Sequence, residues 1–128
     1  MKAFLAVIDR WSTAQIGWNA NCAMFAGDIW QAWTGVDPIG DIRERMTSAR
    51  GFAEILREGG GTLASVVTAR IGAPVLPRLA RRGDIVGLNR RGMHLGACMG
   101  STAVFVGDGR FDVYPMRDAC MTWAVTRG

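Results

Sequence analysis

Pro77-Arg78-Leu79-Ala80-Arg81-Arg82-Gly83-Asp84-Ile85-Val86-Gly87-Leu88 is the stretch on which the fold turns. Its proline and Arg-Arg-Gly step end one periodicity, because proline removes a backbone donor. Its Ile-Val-Gly-Leu run begins another, since a short β-branched run bounded by turn residues favours a strand. Upstream, apolar residues recur at helical spacing: Phe4, Val7, Ile8 and Trp11, then Phe25, Ile29, Ala32 and Trp33. Asn21 is a good N-cap and Gly35 a good stop, which predicts a helix from Cys22 to Thr34. Asp37-Pro38 opens a turn, and Ser48 caps a further helix from Ala49 to Glu58, ended by Gly59-Gly60-Gly61. Leu63 to Ile71 forms another before Pro74 and Pro77 break the pattern. Downstream, Asp84 to Leu88, Met93 to Met99, Thr102 to Val106, Arg110 to Tyr114 and Met121 to Val125 have strand character, with Gly107-Asp108-Gly109 as a turn. Helices first and short strands afterwards predict an α+β fold, with N-terminal helices packed on a C-terminal antiparallel sheet, rather than alternating βαβ units.

The totals suit one domain over residues 1–128. The chain is 49% hydrophobic and 20% charged, long enough for one core and far from the composition of disorder. Its net charge of +4 is nearly all arginine, since Lys2 is the only lysine. Guanidinium groups favour planar, paired contacts with carboxylate or phosphate. The cluster Arg78, Arg81, Arg82, Arg90 and Arg91 suits a solvated or protein-binding face better than nucleic acid, because Asp84 and Asp108 are interspersed and no aromatic interleaves for base stacking. Asp9-Arg10, Asp28 and Arg50 interrupt every apolar run before the roughly 20 residues a bilayer requires, so no membrane contact is expected. Residues 1–8 carry Lys2 and an apolar stretch but lead at once into Asp9-Arg10-Trp11, which favours an amphipathic helix over a signal peptide. Cys22, Cys98 and Cys120 are widely spaced, without a C-x-x-C pair, and are expected as reduced thiols; no cofactor or metal is expected.

Cys22 falls at the first turn of its helix, where free N–H groups and the helix dipole favour a thiolate. His94, the only histidine, lies on a strand and points opposite to Leu95 by alternation. A strand-borne imidazole beside a helix N-terminus has the makings of a Cys–His pair, in which the base takes the thiol proton. The plainer alternatives are a buried cysteine acting as a small hydrophobe and a structural histidine. Trp18 and Asn21 flank the cysteine and are the substrate-binding candidates. Trp18, Trp30 and Trp33 could line a groove, though helix-spaced aromatics fit a core better. Cys98 shares a strand face with His94, so a Cys22, His94, Cys98 metal set is a weaker alternative without a local ligand motif.

Trp18 to Phe25, then Arg82-Gly83-Asp84-Ile85-Val86, then His94-Leu95-Gly96-Ala97-Cys98-Met99-Gly100 together resemble the NlpC-type, papain-like cysteine peptidases. In that family an Asp-Cys pair opens a helix, a Gly-Asp strand follows, and a later strand carries the base. A closer resemblance is to small phage and prophage proteins of unassigned function, encoded among tail genes and related to that peptidase fold. The residues that carry it are Trp18 to Cys22, Thr34-Gly35-Val36-Asp37-Pro38, Ser48-Ala49-Arg50-Gly51, Leu95 to Gly100 and the closing Cys120 to Val125.

The resemblance implies a papain-like, NlpC-type fold with Cys22 and His94 as the catalytic positions. It departs from the peptidase pattern where the third polar residue, which orients the imidazole, falls on Val106. Asn21 stands for the acidic residue before the cysteine, and Asn89 or Asp84 is the remaining polar candidate for the third position. The resemblance therefore implies a structural or assembly component of a phage tail, at the tail tip, with an incomplete site. Other tail proteins would be its partners and the virion its location, after synthesis in the bacterial host cytoplasm. The rival reading is an active hydrolase that cuts peptidoglycan stem peptides during cell entry, with Cys22 attacking and His94 as base and acid.

Overall fold

Helices form in the first half where caps and apolar spacing agree. The computed structural model describes residues 1–107 and 110–125, so Asp108 and Gly109 of the expected turn lie outside the described residues. Helix α1, Lys2–Ser12, turns Phe4, Val7 and Trp11 inward. Helix α2, Cys22–Thr34, starts on Asn21, whose side chain accepts from the Met24 N–H, and ends at Gly35 in the left-handed conformation. Helix α3, Ala49–Glu58, is capped by Ser48. Helix α4, Leu63–Ile71, begins with Thr62 and Ser65 in a reciprocal capping box.

The segment between α2 and α3, which has no helical period, is set by ion pairs instead. Asp37 accepts from Arg43 Nε at 3.0 Å and Nη2 at 3.1 Å, and also from the Ile39 N–H. Arg43 Nη2 reaches Asp28 Oδ1 at 3.0 Å, while Asp28 Oδ2 accepts from Trp11 Nε1 at 2.9 Å. One guanidinium thus joins α2 to the turn after it, and Asp28 ties both to α1. A single 3-10 turn, Arg43–Thr47, follows. The N–H of Gly51, in the Ser-Ala-Arg-Gly stretch, donates to the Ser48 hydroxyl oxygen, and Gly51 packs so closely on the Arg45 carbonyl that a Cβ would overlap it.

In the second half the strands are β1 (Ile85–Asn89), β2 (Met93–Cys98), β3 (Thr102–Gly107), β4 (Arg110–Pro115) and β5 (Met121–Trp123). They form one antiparallel sheet in the order β4-β3-β2-β1-β5. The fold is α+β, with the helices N-terminal and the sheet C-terminal, as the sequence pattern predicts. Strand β5 stops two residues short of the expected Val125, because the Val125 N–H is taken by Asp84 Oδ1 at 3.1 Å rather than by a neighbouring strand.

Alternation assigns the two sheet faces to two cores. Ile85, Leu95, Ala97, Val104, Val106 and Trp123 pack with Phe4, Phe25 and Ile29 of the helices. Burying each such large side chain is worth about 1.5–3 kcal/mol. Val86, Leu88, Cys98, Ala103 and Phe105 form a smaller core on the other face, covered by Ala80, Tyr114, Met116 and Ala119. The Gly83-Asp84 step joins the halves. Gly83 has φ +94° and lies under the Trp33 ring, where a Cβ would come within 2.5 Å. Asp84 is 1% exposed and its carboxylate accepts from the Arg81 and Val125 N–H groups, which offsets the cost of burying it.

Candidate functional site

A cleft of about 250 Å³ opens where the N-terminus of α2 meets the start of β2, and Trp18, Asn21, Cys22, His94, Val106 and Gly107 all border it. All four residues singled out from the sequence border it, but by alternation His94 points opposite to Leu95, onto the sheet face it shares with Cys98 and Phe105, where it also lines a pocket with Leu88 and Tyr114, whereas Cys22 lies on the helix side. Helix α2 supplies the cysteine because Asn21 caps it there, and the β1–β2 hairpin supplies the histidine.

Asn21 is fully engaged in holding the wall. Its Oδ1 accepts from the Met24 N–H at 3.1 Å, and its Nδ2 donates to Trp18 O at 3.3 Å and Met46 O at 3.2 Å. An aspartate could make the first of these bonds and neither of the others, which accounts for the amide at this position. Trp18 is 50% exposed at the mouth of the cleft, its ring tilted against Phe52 at a centroid distance of 6.0 Å. Trp30 and Trp33 are partly buried against the main core, and Trp33 stacks on Phe4.

Cys22 keeps part of its surface at the cleft, but its thiol is enclosed by protein. Burial pushes the thiol above its ordinary pKa; hydrogen bonds from the N–H groups of Leu95, Cys22 and Ala23 pull the other way and do not compensate. The helix N-terminus thus falls short of the thiolate expected from its position. Among the described residues no hydrogen bond joins Cys22 to His94.

His94 bonds elsewhere. Its Nε2 lies 2.9 Å from the carbonyl oxygen of Arg90. A carbonyl only accepts, so Nε2 carries a proton and donates to it, while Nδ1 faces Gly107. The carbonyl is aimed by the hairpin turn, where Arg90 N–H donates to Gly92 O at 2.9 Å and Arg91 adopts φ +56°, rare for a residue with a side chain.

The position facing the ring is not Val106. Gly96 pairs with Phe105, and the same register carried two residues on sets His94 opposite Gly107. A Cβ on Gly107 would fall 2.6 Å from His94 Nδ1. Val106 is buried in the main core, on the other face of β3. Counting along the chain finds the right strand and the wrong face. Asn89 does not border the cleft, and Asp84 is spent on backbone N–H groups. The ring's partner is a main-chain atom with no side-chain signature; Gly107 was legible from strand register.

Cys98 shares the face of His94 but is sealed in the smaller core, about 13 Å along the strand at 3.3 Å per residue. Among the described residues no three His, Cys, Asp or Glu side chains are arranged to hold a metal ion. Cys120 is exposed. No helix among the described residues is long and apolar enough to cross a membrane.

The profile of a domain of unknown function, DUF6950, matches residues 1–125. The chain belongs to the DUF6950 family. No curated protein and no solved structure matches it. The DUF6950 match runs from α1 through β5, so it takes in both walls of the cleft. What this DUF6950 cleft holds is a neutral thiol and an imidazole, each bonded to main chain, beside an exposed tryptophan.

Proposed function

We propose that this DUF6950 chain is a structural or assembly component of a phage tail, at the tail tip, built as one domain on a papain-like, NlpC-type scaffold whose catalytic site is incomplete. The tail assignment rests on the resemblance of the motifs from Trp18 to Val125 to small phage and prophage tail-module proteins. The observation that carries the incomplete site is the bonding in the cleft: burial holds the Cys22 thiol neutral, and His94 is tied to the Arg90 carbonyl rather than to the thiol. A peptidase of this kind needs a thiolate or a base poised on the thiol, and a polar group that lets the imidazole turn towards it. The chain's work is then binding to other tail proteins within the virion.

One observation favours the rival hydrolase: Trp18, Asn21, Cys22 and His94 border a single cleft, with backbone N–H groups aimed at the sulfur. In that reading Cys22 attacks a peptidoglycan stem peptide, and His94 takes and returns the proton. The two readings part on the reactivity of Cys22. Its alkylation by iodoacetamide is followed against pH by mass spectrometry of the Cys22 peptide, in wild type and in His94→Ala. The tail reading expects slow alkylation that His94→Ala leaves unchanged, together with the chain in purified tails. A thiolate titrating well below about 8.5, and lost with His94, supports the hydrolase instead. Absence of the chain from tails, with normal infective particles in its absence, refutes the tail role.

A further inference from the structure

Charge is divided unevenly between the two halves. Residues 1–72 hold seven Lys or Arg and seven Asp or Glu; residues 73–128 hold eight and four, so the entire excess of +4 belongs to the sheet half. The helical half also uses its guanidinium groups: Arg10, Arg43, Arg45, Arg50 and Arg70 each pair with a carboxylate. On the sheet half Arg110 pairs with Asp112, whereas Arg78, Arg81, Arg90, Arg91 and Arg117 make no ion pair among the described residues. Asp84 is buried and accepts from backbone donors, and exposed Asp118 stands next to Arg117.

Two of these arginines frame a cleft of about 360 Å³ on the sheet face away from the helices. Arg78 comes from the 3-10 turn Pro77–Leu79 and Arg117 from the 3-10 turn Met116–Asp118. Between them lie Pro77, Ala80, Met116 and Ala119, so apolar side chains share the cleft with a cationic rim. Leu76 and Leu79, at 54% and 55% exposure, extend the apolar surface on the first turn. Cys22 and His94 border a different cleft.

We infer that this face docks an acidic segment of a partner protein, with carboxylates seated on Arg78 and Arg117 and apolar side chains against Pro77, Ala80 and Met116. Guanidinium forks match carboxylates two bonds at a time, and arginine beside apolar surface is a common anchor of protein interfaces. Single-stranded nucleic acid fits less well, because it needs free aromatic faces. Tyr114, the aromatic ring at the edge of this face, is already packed on Phe105 at 5.8 Å and covered by the Arg90 guanidinium at 5.3 Å. The inference stands on charge and shape and does not depend on the tail assignment.

The test is an NMR titration of the ¹⁵N-labelled chain with a soluble Glu-Glu-Leu repeat peptide. The same peptide with Lys for Glu and a single-stranded oligonucleotide are run at the same ionic strength. Shifts should cluster in residues 76–82 and 115–119. Affinity should fall about tenfold in Arg78→Ala/Arg117→Ala, as expected for two exposed charge contacts, and stay unchanged in Arg57→Ala on the helical half. Both variants replace exposed side chains, and their thermal unfolding is checked beside the wild type. The inference is overturned if the acidic peptide does not bind, if it binds the double variant equally well, if the lysine peptide binds as tightly, or if the oligonucleotide binds more tightly than the acidic peptide.

Discussion

Replacing Asn21 by aspartate, the acidic type found before the cysteine in the resembling peptidases, should weaken the chain rather than repair its site. Both residues cap α2 through one oxygen, and the carboxylate gains about 0.3–1 kcal/mol from the helix N-terminus. Against that, Asn21 Nδ2 donates to Trp18 O and Met46 O, and aspartate can donate to neither. Two lost bonds cost about 0.5–1.5 kcal/mol each, and an anionic oxygen turned towards two carbonyls adds a penalty of similar size. The losses win by about 2 kcal/mol, a substantial part of a typical stability of about 5–15 kcal/mol. With a urea dependence of about 1–3 kcal/mol per molar, the unfolding midpoint should fall by about 1 M. The deficit should also depend on pH. Facing carbonyls, the new carboxyl has its folded pKa raised above the unfolded value of about 3.9. The protonated form can donate, so the deficit is small below the unfolded value and grows as pH rises through the folded one. Urea unfolding of wild type and Asn21→Asp at pH 7 and near pH 4 reads both effects. A variant as stable as wild type at pH 7 would refute the reasoning, and so would a deficit that ignores pH.

Other consequences follow from the same geometry. Gly107→Ala should push the imidazole off the Arg90 carbonyl and cost about 1–3 kcal/mol by overpacking; imidazole ¹⁵N shifts should show a hydrogen-bonded Nε2–H in wild type and a changed ring in the variant, and unchanged shifts would sink the assignment. Burial raises the folded pKa of Cys22, so the stability its neutral thiol contributes is full below about 8.5 and is lost as pH rises through the folded value. Unfolding free energy should therefore decline more steeply on the alkaline side in wild type than in Cys22→Ala, and equal slopes would contradict the burial. Arg43→Ala removes partners of Asp28 and Asp37 and should cost about 2 kcal/mol at neutral pH, measured by thermal unfolding. Burial alone would raise the Asp37 carboxyl, but the Arg43 and Ile39 hydrogen bonds lower it, so this stabilisation is present above about 3.9 and fades as pH falls through the depressed value.

The fold was legible because its signals are local. Caps at Asn21 and Ser48, the stop at Gly35 and the switch of period at Gly83-Asp84 each act within a few residues, and the structure places the elements where those residues put them. The site was legible only in part. Cys22 and His94 announce themselves by residue type and position, and they do border one cleft. What decides their chemistry is less visible in the sequence. The thiol's desolvation depends on packing from distant segments, the ring's partner is the Arg90 main chain, and whether position 106 or 107 faces the ring depends on strand register.

The residues that carry the family-like pattern mostly do structural work. Gly35 ends a helix, Asp37 holds Arg43, Gly51 packs on Arg45, Gly83 lies under Trp33, and Asp84 fastens the loop before β1 to Val125. Gly96 is required because the Phe105 ring and the Val104 carbonyl occupy the space where its Cβ would stand. Likeness at such positions is evidence about a scaffold, and a scaffold does not by itself imply a chemistry. The catalytic question therefore rests on very few atoms, the Cys22 sulfur and the ring nitrogens of His94. In the conformation described here the first is held neutral and the second has no bond to it, so a binding role requires nothing the cleft lacks, whereas hydrolysis requires the imidazole to exchange its Arg90 bond for one to the thiol.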